Sequence, residues 1–196
     1  MAERLSRLLD GLLEGQDLSA EEAGELLAAL TEPATPGPLA GALLAALRAK
    51  GETAEEIRGL ADAMRGLARD PGIGDTAGLT DVVGTGGDGS GSLNLSTGAA
   101  LLAAACGVPI VKHGNRAVSS KSGSADTLEE LGLCLPLDEA GARRCLEETG
   151  FTFLFAPYYH PAMKTVAQVR GAMGVRTVFN ILGPLTNPAR PPYSLI

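Results

Sequence analysis

The first seventy residues carry apolar side chains at the spacing of α-helices. Leucines at positions 5, 8, 9, 12 and 13 recur at intervals of three and four residues, which places them on one stripe of a helix. Ser19 and Thr53 are each followed three residues later by a glutamate, the spacing of a capping box, and Thr35 before Pro36 predicts an N-cap with a first-turn proline. Each signal precedes another leucine-rich stretch. The pattern predicts four helices in a small all-α unit.

From Thr80 onward, short runs of β-branched and aromatic residues alternate with glycine-rich turns and helical patterns. The predicted buried strands are 81–83, 108–112, 133–137 and 151–155, and the predicted helices lie near 96–106, 124–131, 139–149 and 161–173. This alternation predicts a parallel sheet with right-handed crossovers. The apolar run at 192–196 resembles the opening of another strand, so we expect the chain to stop part-way through the sheet.

The predicted fold class is therefore α/β, with two domains. A small N-terminal all-α helical domain is expected at residues 1–72. A larger, mainly parallel β-sheet domain flanked by helices is expected at residues 73–196, and some of its helices could join the helical domain.

Composition narrows the class of protein. The 196 residues carry a formal charge of -7. This acidic balance lacks the excess of positive charge that is typical of nucleic-acid-binding proteins. The longest weakly polar run, 98–111, is shorter than the roughly 20 apolar residues that span a membrane. The three cysteines are odd in number and show no C-x-x-C spacing, so they are expected to be buried thiols. We expect a cytoplasmic protein with neither nucleic-acid nor membrane partners.

A glycine-rich loop follows the first predicted strand. Residues 84–89 satisfy the dinucleotide motif G-x-G-x-x-G, but the next strand ends in Lys112 instead of an acid that could hold a ribose. The glycines also continue to Gly91 before Ser96 and Thr97 open a helix. Free N–H groups and hydroxyls at a helix start favour a pyrophosphate with its Mg²⁺. The alternative is a flexible turn in which Ser96 is a plain N-cap.

A second polar loop, residues 112–126, follows the next strand. Both loops leave the carboxyl ends of neighbouring parallel strands, where ligands of open α/β sheets bind. The loop holds the cations Lys112, Arg116 and Lys121 among four serines. Singly such cations are usually solvated surface charges. Because these three cations are gathered in one loop after a buried strand, they predict a binding site for a polyanion.

Three sequence motifs, in a fixed order along the chain, resemble those of a known family. They are DVVGTGGDG with the following NLST, KHGNRAVSSKSGSAD, and APYYHPAMKTVAQVRGAMGVRTVFNILGPLTNP. Together they closely resemble the anthranilate phosphoribosyltransferases over the whole chain. Pyrimidine nucleoside phosphorylases carry a related second loop but a different first loop. The resemblance implies a Mg²⁺-dependent glycosyltransferase of L-tryptophan biosynthesis that transfers the phosphoribosyl group of phosphoribosyl pyrophosphate to anthranilate and releases pyrophosphate.

The resemblance also implies site residues. Those for phosphoribosyl pyrophosphate are Gly84, Gly87, Asp88, Ser92, Asn94, Leu95, Ser96, Thr97, Lys112, His113, Gly114, Asn115, Arg116, Ala117, Val118, Ser119, Ser120 and Ser124. Those for anthranilate are Gly84, His113, Asn115, Tyr158 and Arg170. No residue is assigned a certain catalytic role, and Lys112 and Arg170 are expected to be electrostatic and positioning groups. Ser96 is the implied Mg²⁺ ligand, with further acidic ligands expected beyond residue 196. Packing under a loop is the equal alternative for Tyr158.

Other possibilities remain open at this point. The resemblance implies a homodimer formed through the helical domain, yet leucine stripes equally suit an intramolecular core. The chain could instead be a family member that binds nucleic acid, or a purely structural or dimerising fragment. The run at 183–188, Gly-Pro-Leu-Thr-Asn-Pro, is interpreted as a turn-rich connector without a catalytic role.

Overall fold

The computed structural model describes residues 2–84, 93–117 and 122–196. They form ten helices and four strands. In chain order these are α1 (Ala2–Leu13), α2 (Ala20–Thr31), α3 (Gly37–Lys50), α4 (Ala54–Gly66), β1 (Thr80–Val82), α5 (Leu95–Ala105), β2 (Ile110–Gly114), α6 (Ser124–Glu130), α7 (Glu139–Thr149), β3 (Phe151–Phe155), α8 (Ala156–Tyr159), α9 (Met163–Met173), α10 (Phe179–Leu185) and β4 (Tyr193–Leu195).

The chain divides into two compact units. The helical unit comprises Met1–Ala68 and His160–Thr186, and the α/β unit comprises Arg69–Tyr159 and Asn187–Ile196. Helices α9 and α10 thus belong with the first four helices. The domain boundary expected between residues 72 and 73 stays a prediction.

The leucine stripes of the helical unit build a single core. Leu26, Leu43 and Leu60 come from three different helices and are completely buried in it. The four predicted helices are confirmed. So are both capping boxes: Ser19 Oγ accepts the backbone N–H of the glutamate three residues later at 3.2 Å, and Thr53 Oγ1 does the same.

Two local predictions in this unit are wrong. Pro36 occupies the N-cap of α3, and the Thr35 hydroxyl instead donates to Ala29 O at 2.6 Å. The hydroxyl thereby becomes a second donor to a carbonyl at the end of α2 that also accepts from Glu32 N at 3.2 Å. The connector expected at 183–188 begins inside α10. Packing of Leu182 against the core stabilises this short helix despite Pro184 in its last turn.

The sheet of the α/β unit is parallel, in the order β3-β2-β1-β4. The strand predicted at 151–155 is confirmed with the predicted bounds, and those predicted at 81–83 and 108–112 are confirmed with shifted ends. The strand predicted at 133–137 is wrong, because this stretch joins no ladder among the described residues. Its leucines at 133, 135 and 137 do turn inward against the core, but Pro136 has no N–H to donate to a neighbouring strand.

The cysteines differ from the expectation of buried thiols. Cys106 and Cys134 are exposed and Cys145 is half-buried. Cys106 is the C-cap residue of α5, and Cys134 turns outward between two inward leucines. Separately, none of the helices in the described ranges is long and apolar enough to cross a membrane.

Candidate functional site

Lys112 is the central cation of the candidate site. It lies on β2 with 1% of its surface exposed. Its Nζ donates to Val82 O at the end of β1 and lies 3.4 Å from Ser96 Oγ at the start of α5. Burial lowers the pKa of Lys112 to about 8, and the nearby Asp81 carboxylate only partly opposes the shift. A buried ammonium with these two contacts in the described part of the chain suits an incoming anion.

Asp81 is the buried acid beside this lysine. Its two carboxylate oxygens accept from His113 N at 3.2 Å and from Asn187 Nδ2 at 2.9 Å. Burial raises the pKa of Asp81, against the lowering effect of these hydrogen bonds and of Lys112. Asn187 Nδ2 also donates to Val111 O at 2.8 Å. The ends of β1 and β2 are therefore joined through side chains.

The start of α5 presents donors next to Lys112. Ser96 is half-buried, and Thr97 is buried with an Oγ1 that finds no hydrogen-bond partner among the described residues. The N–H groups of the first helical turn add partial positive charge at this end. Asn94, the N-cap residue, uses its Nδ2 to contact Gly123 O at 3.2 Å and Thr127 Oγ1. Asn94 thus ties the α5 start to the second loop.

Asp126 closes the second loop. One of its oxygens accepts from Gly123 N at 2.7 Å and from Ala117 N at 2.9 Å, and these bonds lower the pKa of Asp126. A Cβ on Gly123 would come within 2.3 Å of Ala117 N, so this crossing requires glycine. Arg116 pairs with Glu129 and, at 3.4 Å, with Asp126. Its guanidinium is therefore already engaged by carboxylates.

The other predicted phosphate residues lie around these groups or outside the described ranges. Gly84 follows β1, Leu95 begins α5, Gly114 ends β2, and Asn115 is exposed after it. Ser124 begins α6 and is half-buried. The residues outside the described ranges are Gly87, Asp88, Ser92, Lys121, Val118, Ser119 and Ser120.

The predicted anthranilate residues belong to both units. His113 and Asn115 are in the α/β unit, and Arg170 is in the helical unit. Arg170 is half-buried, with its guanidinium over the Phe179 ring at 5.3 Å, and burial lowers its pKa. Its Nε finds no hydrogen-bond partner within the described part of the chain.

Tyr158, the remaining anthranilate candidate, makes packing contacts. Its hydroxyl donates to Glu139 at 3.2 Å, Arg69 lies 4.7 Å over its ring, and Tyr159 contacts it edge-on. These contacts favour the packing alternative for Tyr158. Its contact with anthranilate stays a prediction.

Family models match the chain in both of its parts. Residues 76–196 match the α/β domain of a glycosyl transferase family, and residues 6–68 match the helical bundle domain of the same family. The chain belongs to this glycosyl transferase family.

Several members of the family are similar in sequence to this chain. The chain is 53% identical to the anthranilate phosphoribosyltransferase of Saccharopolyspora erythraea over its full length, which is 55% of that enzyme. The crystal structure of the Thermus thermophilus anthranilate phosphoribosyltransferase matches 96% of the chain with a TM-score of 0.89 at 50% identity. The chain covers 57% of that structure. It thus spans little more than half the length of these relatives.

A third relative shows which ligands a family member holds. The yeast anthranilate phosphoribosyltransferase in complex with phosphoribosyl pyrophosphate and Mg matches 94% of the chain with a TM-score of 0.82 at 31% identity. The chain covers 55% of that enzyme. These findings confirm the resemblance inferred from the three motifs and the predicted fold class.

Sequence reasoning missed two residues of the candidate site. Asp81 was included in a strand, and Asn187 was included in a connector, yet both contact the backbone beside Lys112. A buried strand that begins with an acid was the available signal, because an acid is almost never fully buried without a partner. No comparable local signal marks Asn187.

Proposed function

We propose that the protein to which this chain belongs transfers a phosphoribosyl group from phosphoribosyl pyrophosphate to the amino group of anthranilate and releases pyrophosphate, in tryptophan biosynthesis. The observation that carries the proposal is the buried Lys112 ammonium beside Ser96 at the start of α5. The names of relatives about 50% identical support the choice of substrates.

The chain's own residues would act mainly by binding charge. Cleavage at the anomeric carbon leaves negative charge on the pyrophosphate, and Lys112 with the α5 N-terminus offers positive potential to receive it. Arg170 offers paired donors for the anthranilate carboxylate. No general base is assigned, so positioning and charge stabilisation would supply most of the acceleration.

The described residues suit a Mg²⁺ ion that arrives with the substrate. Within the described ranges, no group of three His, Cys, Asp or Glu side chains could hold a metal. The Ser96 hydroxyl would supply one neutral oxygen ligand, and Mg²⁺ commonly combines few protein ligands with substrate phosphates and water. When bound, the ion would neutralise further charge on the leaving pyrophosphate.

The reaction is tested by following anthranilate fluorescence after phosphoribosyl pyrophosphate and Mg²⁺ are added. We expect a decrease that EDTA abolishes. Because the chain spans about 55% of its relatives, phosphoribosyl pyrophosphate binding to the 196-residue chain is measured separately by calorimetry. The proposal would be contradicted if a longer natural polypeptide showed no turnover and this chain also failed to bind phosphoribosyl pyrophosphate.

Two variants test the division of substrates. Lys112→Ala should mainly raise the KM for phosphoribosyl pyrophosphate, and Arg170→Ala should mainly raise the KM for anthranilate. The reason is that each cation is assigned to a different anion. Equal effects of both variants on both KM values would contradict this division.

A homodimer formed through the helical unit and a cytoplasmic location are further parts of the proposal. The leucine-rich helices support the first, since one of their leucines, Leu13, remains 69% exposed. Light scattering should give the mass of two chains. A monomer at micromolar concentration would contradict the dimer.

A further inference from the structure

The backbone pairing of β1 with β2 stops before the candidate site. In the described part of the chain, β1 is paired with β2 at Thr80 and Ile110. Strand β2 stays paired with β3 as far as Gly114 and Phe155. Backbone hydrogen bonds between β1 and β2 therefore give way to side-chain bridges. Lys112 lies two residues beyond the paired Ile110 on β2.

Those bridges hold the backbone on both sides of Lys112. Asn187 Nδ2 donates to Val111 O at 2.8 Å, on the residue before the lysine. Asp81 accepts from His113 N at 3.2 Å, on the residue after it. The two bridging side chains are joined to each other by the 2.9 Å bond from Asn187 to Asp81.

Asn187 is itself held in place. Its Oδ1 accepts from Ala189 N at 3.0 Å, while its Nδ2 makes both bridging bonds. Asn187 is 4% exposed and Asp81 is 1% exposed. A fully bonded and buried side-chain pair has little freedom to rearrange. The backbone that carries Lys112 is therefore fixed by two residues remote from it in sequence.

We propose that Asp81 and Asn187 are positioning residues that grip the backbone on both sides of Lys112 and fix its ammonium for anion binding at the end of β2. The inference rests on the proposed function, because the anion is the pyrophosphate group of phosphoribosyl pyrophosphate. Neither residue needs to touch that substrate.

The charge of Asp81 makes the proposal testable by the sign of an effect. A carboxylate near an anion site repels the anion, so its removal alone should tighten binding at an acidic pH at which Lys112 stays protonated. Loss of a positioning bond should instead weaken binding. Asp81→Asn keeps the shape of the side chain and one oxygen that can accept from His113 N. Its new NH₂ group then faces the Nδ2 of Asn187, and because both groups are donors, the hydrogen bond between the two side chains is lost.

The experiment titrates inorganic pyrophosphate, and then phosphoribosyl pyrophosphate, into the chain by calorimetry in Mg²⁺ buffer. Asp81→Asn and Asn187→Ala should each weaken binding about tenfold, the effect of roughly one lost hydrogen bond to a charged group. The double variant should be no weaker than either single variant if both act through one bridge. Asp75→Asn, which removes an exposed acid of the same unit, should stay within about twofold of the parent chain.

Unchanged or tighter binding in Asp81→Asn, or additive effects in the double variant, would overturn the proposal. Binding of neither ligand to the parent chain would count against the proposed function instead. The positioning role is then decided by hydrogen exchange of the His113 amide. Exchange should accelerate in Asp81→Ala but not in Asp75→Asn, and unchanged protection would overturn the role.

Discussion

The helical unit and the α/β unit each bury a lysine beside a carboxylate, but they compensate its charge differently. In the helical unit, the side chain of Lys50 is 5% exposed and donates to Asp17 at 2.7 Å and Glu56 at 3.0 Å. Burial lowers its pKa, but the bonds to the two acids outweigh burial, so the pKa of Lys50 is raised. In the α/β unit, the burial of Lys112 outweighs Asp81, and its pKa falls to about 8.

The difference separates a structural ion pair from a binding group. Lys50 has two acidic partners and a backbone carbonyl, so it has little capacity left for a ligand. Lys112 contacts a backbone carbonyl and a serine hydroxyl, while Asp81 faces the backbone of the next strand. Among the residues that the structure describes, no acid is hydrogen-bonded to Lys112. A buried cation of this kind retains attraction for an external anion.

The largest effect is expected from a variant that breaks the ion pair between Lys50 and Glu56. Glu56 is fully buried and accepts from Leu18 N, Thr53 N and Lys50 Nζ. Glu56→Ala therefore leaves two backbone N–H groups without this acceptor and removes one of the two acids paired with Lys50. We expect its free energy of unfolding to fall by about 3–5 kcal/mol. Urea denaturation measures this change.

Glu55→Ala is the matched control on the same helix. Glu55 is exposed and lies 3.5 Å from Arg58, so its removal should change the free energy of unfolding by about 0.5 kcal/mol or less. A loss below about 1 kcal/mol in Glu56→Ala would contradict the structural role of the Lys50 pair.

A smaller effect concerns the pH dependence of anion binding. Because the pKa of Lys112 is about 8, its charge is present below pH 8 and is lost as the pH rises through that value. The pyrophosphate association constant should fall about tenfold between pH 7 and 9, relative to Lys112→Arg, whose guanidinium stays protonated. Dividing the association constant of the parent chain by that of Lys112→Arg at each pH cancels the contribution from ionisation of the pyrophosphate itself. A ratio independent of pH would show that the lysine charge does not hold the anion.

The smallest effect concerns stability at low pH in the helical unit. His160 is buried with Nε2 3.0 Å from Thr186 O, and burial lowers its pKa despite opposing backbone hydrogen bonds. Its stabilising contribution is complete above its ordinary value of about 6.5 and decreases as the pH falls below it. The difference in unfolding free energy between the parent chain and His160→Gln should therefore shrink from pH 7.5 to 5.5. A difference that grows toward low pH would oppose this expectation.

Local signals predicted much of the fold. The capping boxes at Ser19 and Thr53 act within four residues, so the sequence contains the whole interaction. Strand and helix patterns likewise gave the parallel sheet. The error at 133–137 arose because inward leucines have the same period with or without a paired backbone.

Contacts between distant residues account for what could not be predicted. Lys112 was identified because its loop gathers polar residues, and Ser96 because it opens a helix after glycines. Asp81 and Asn187 meet across 106 positions of sequence, and no local pattern encodes that distance. Arg116 was expected to bind an anion, but α6 supplies two carboxylates that hold it.

The measurement that tests the central claim most directly is calorimetric titration of phosphoribosyl pyrophosphate with Mg²⁺ into the parent chain and Lys112→Met. The claim predicts binding that weakens on the order of a hundredfold, a loss of about 3 kcal/mol. The free energy of unfolding should stay within about 1 kcal/mol, and Lys164→Met, which removes an exposed lysine, should bind like the parent chain. Equal affinity of the parent chain and Lys112→Met would contradict the claim that this buried lysine holds the substrate's pyrophosphate.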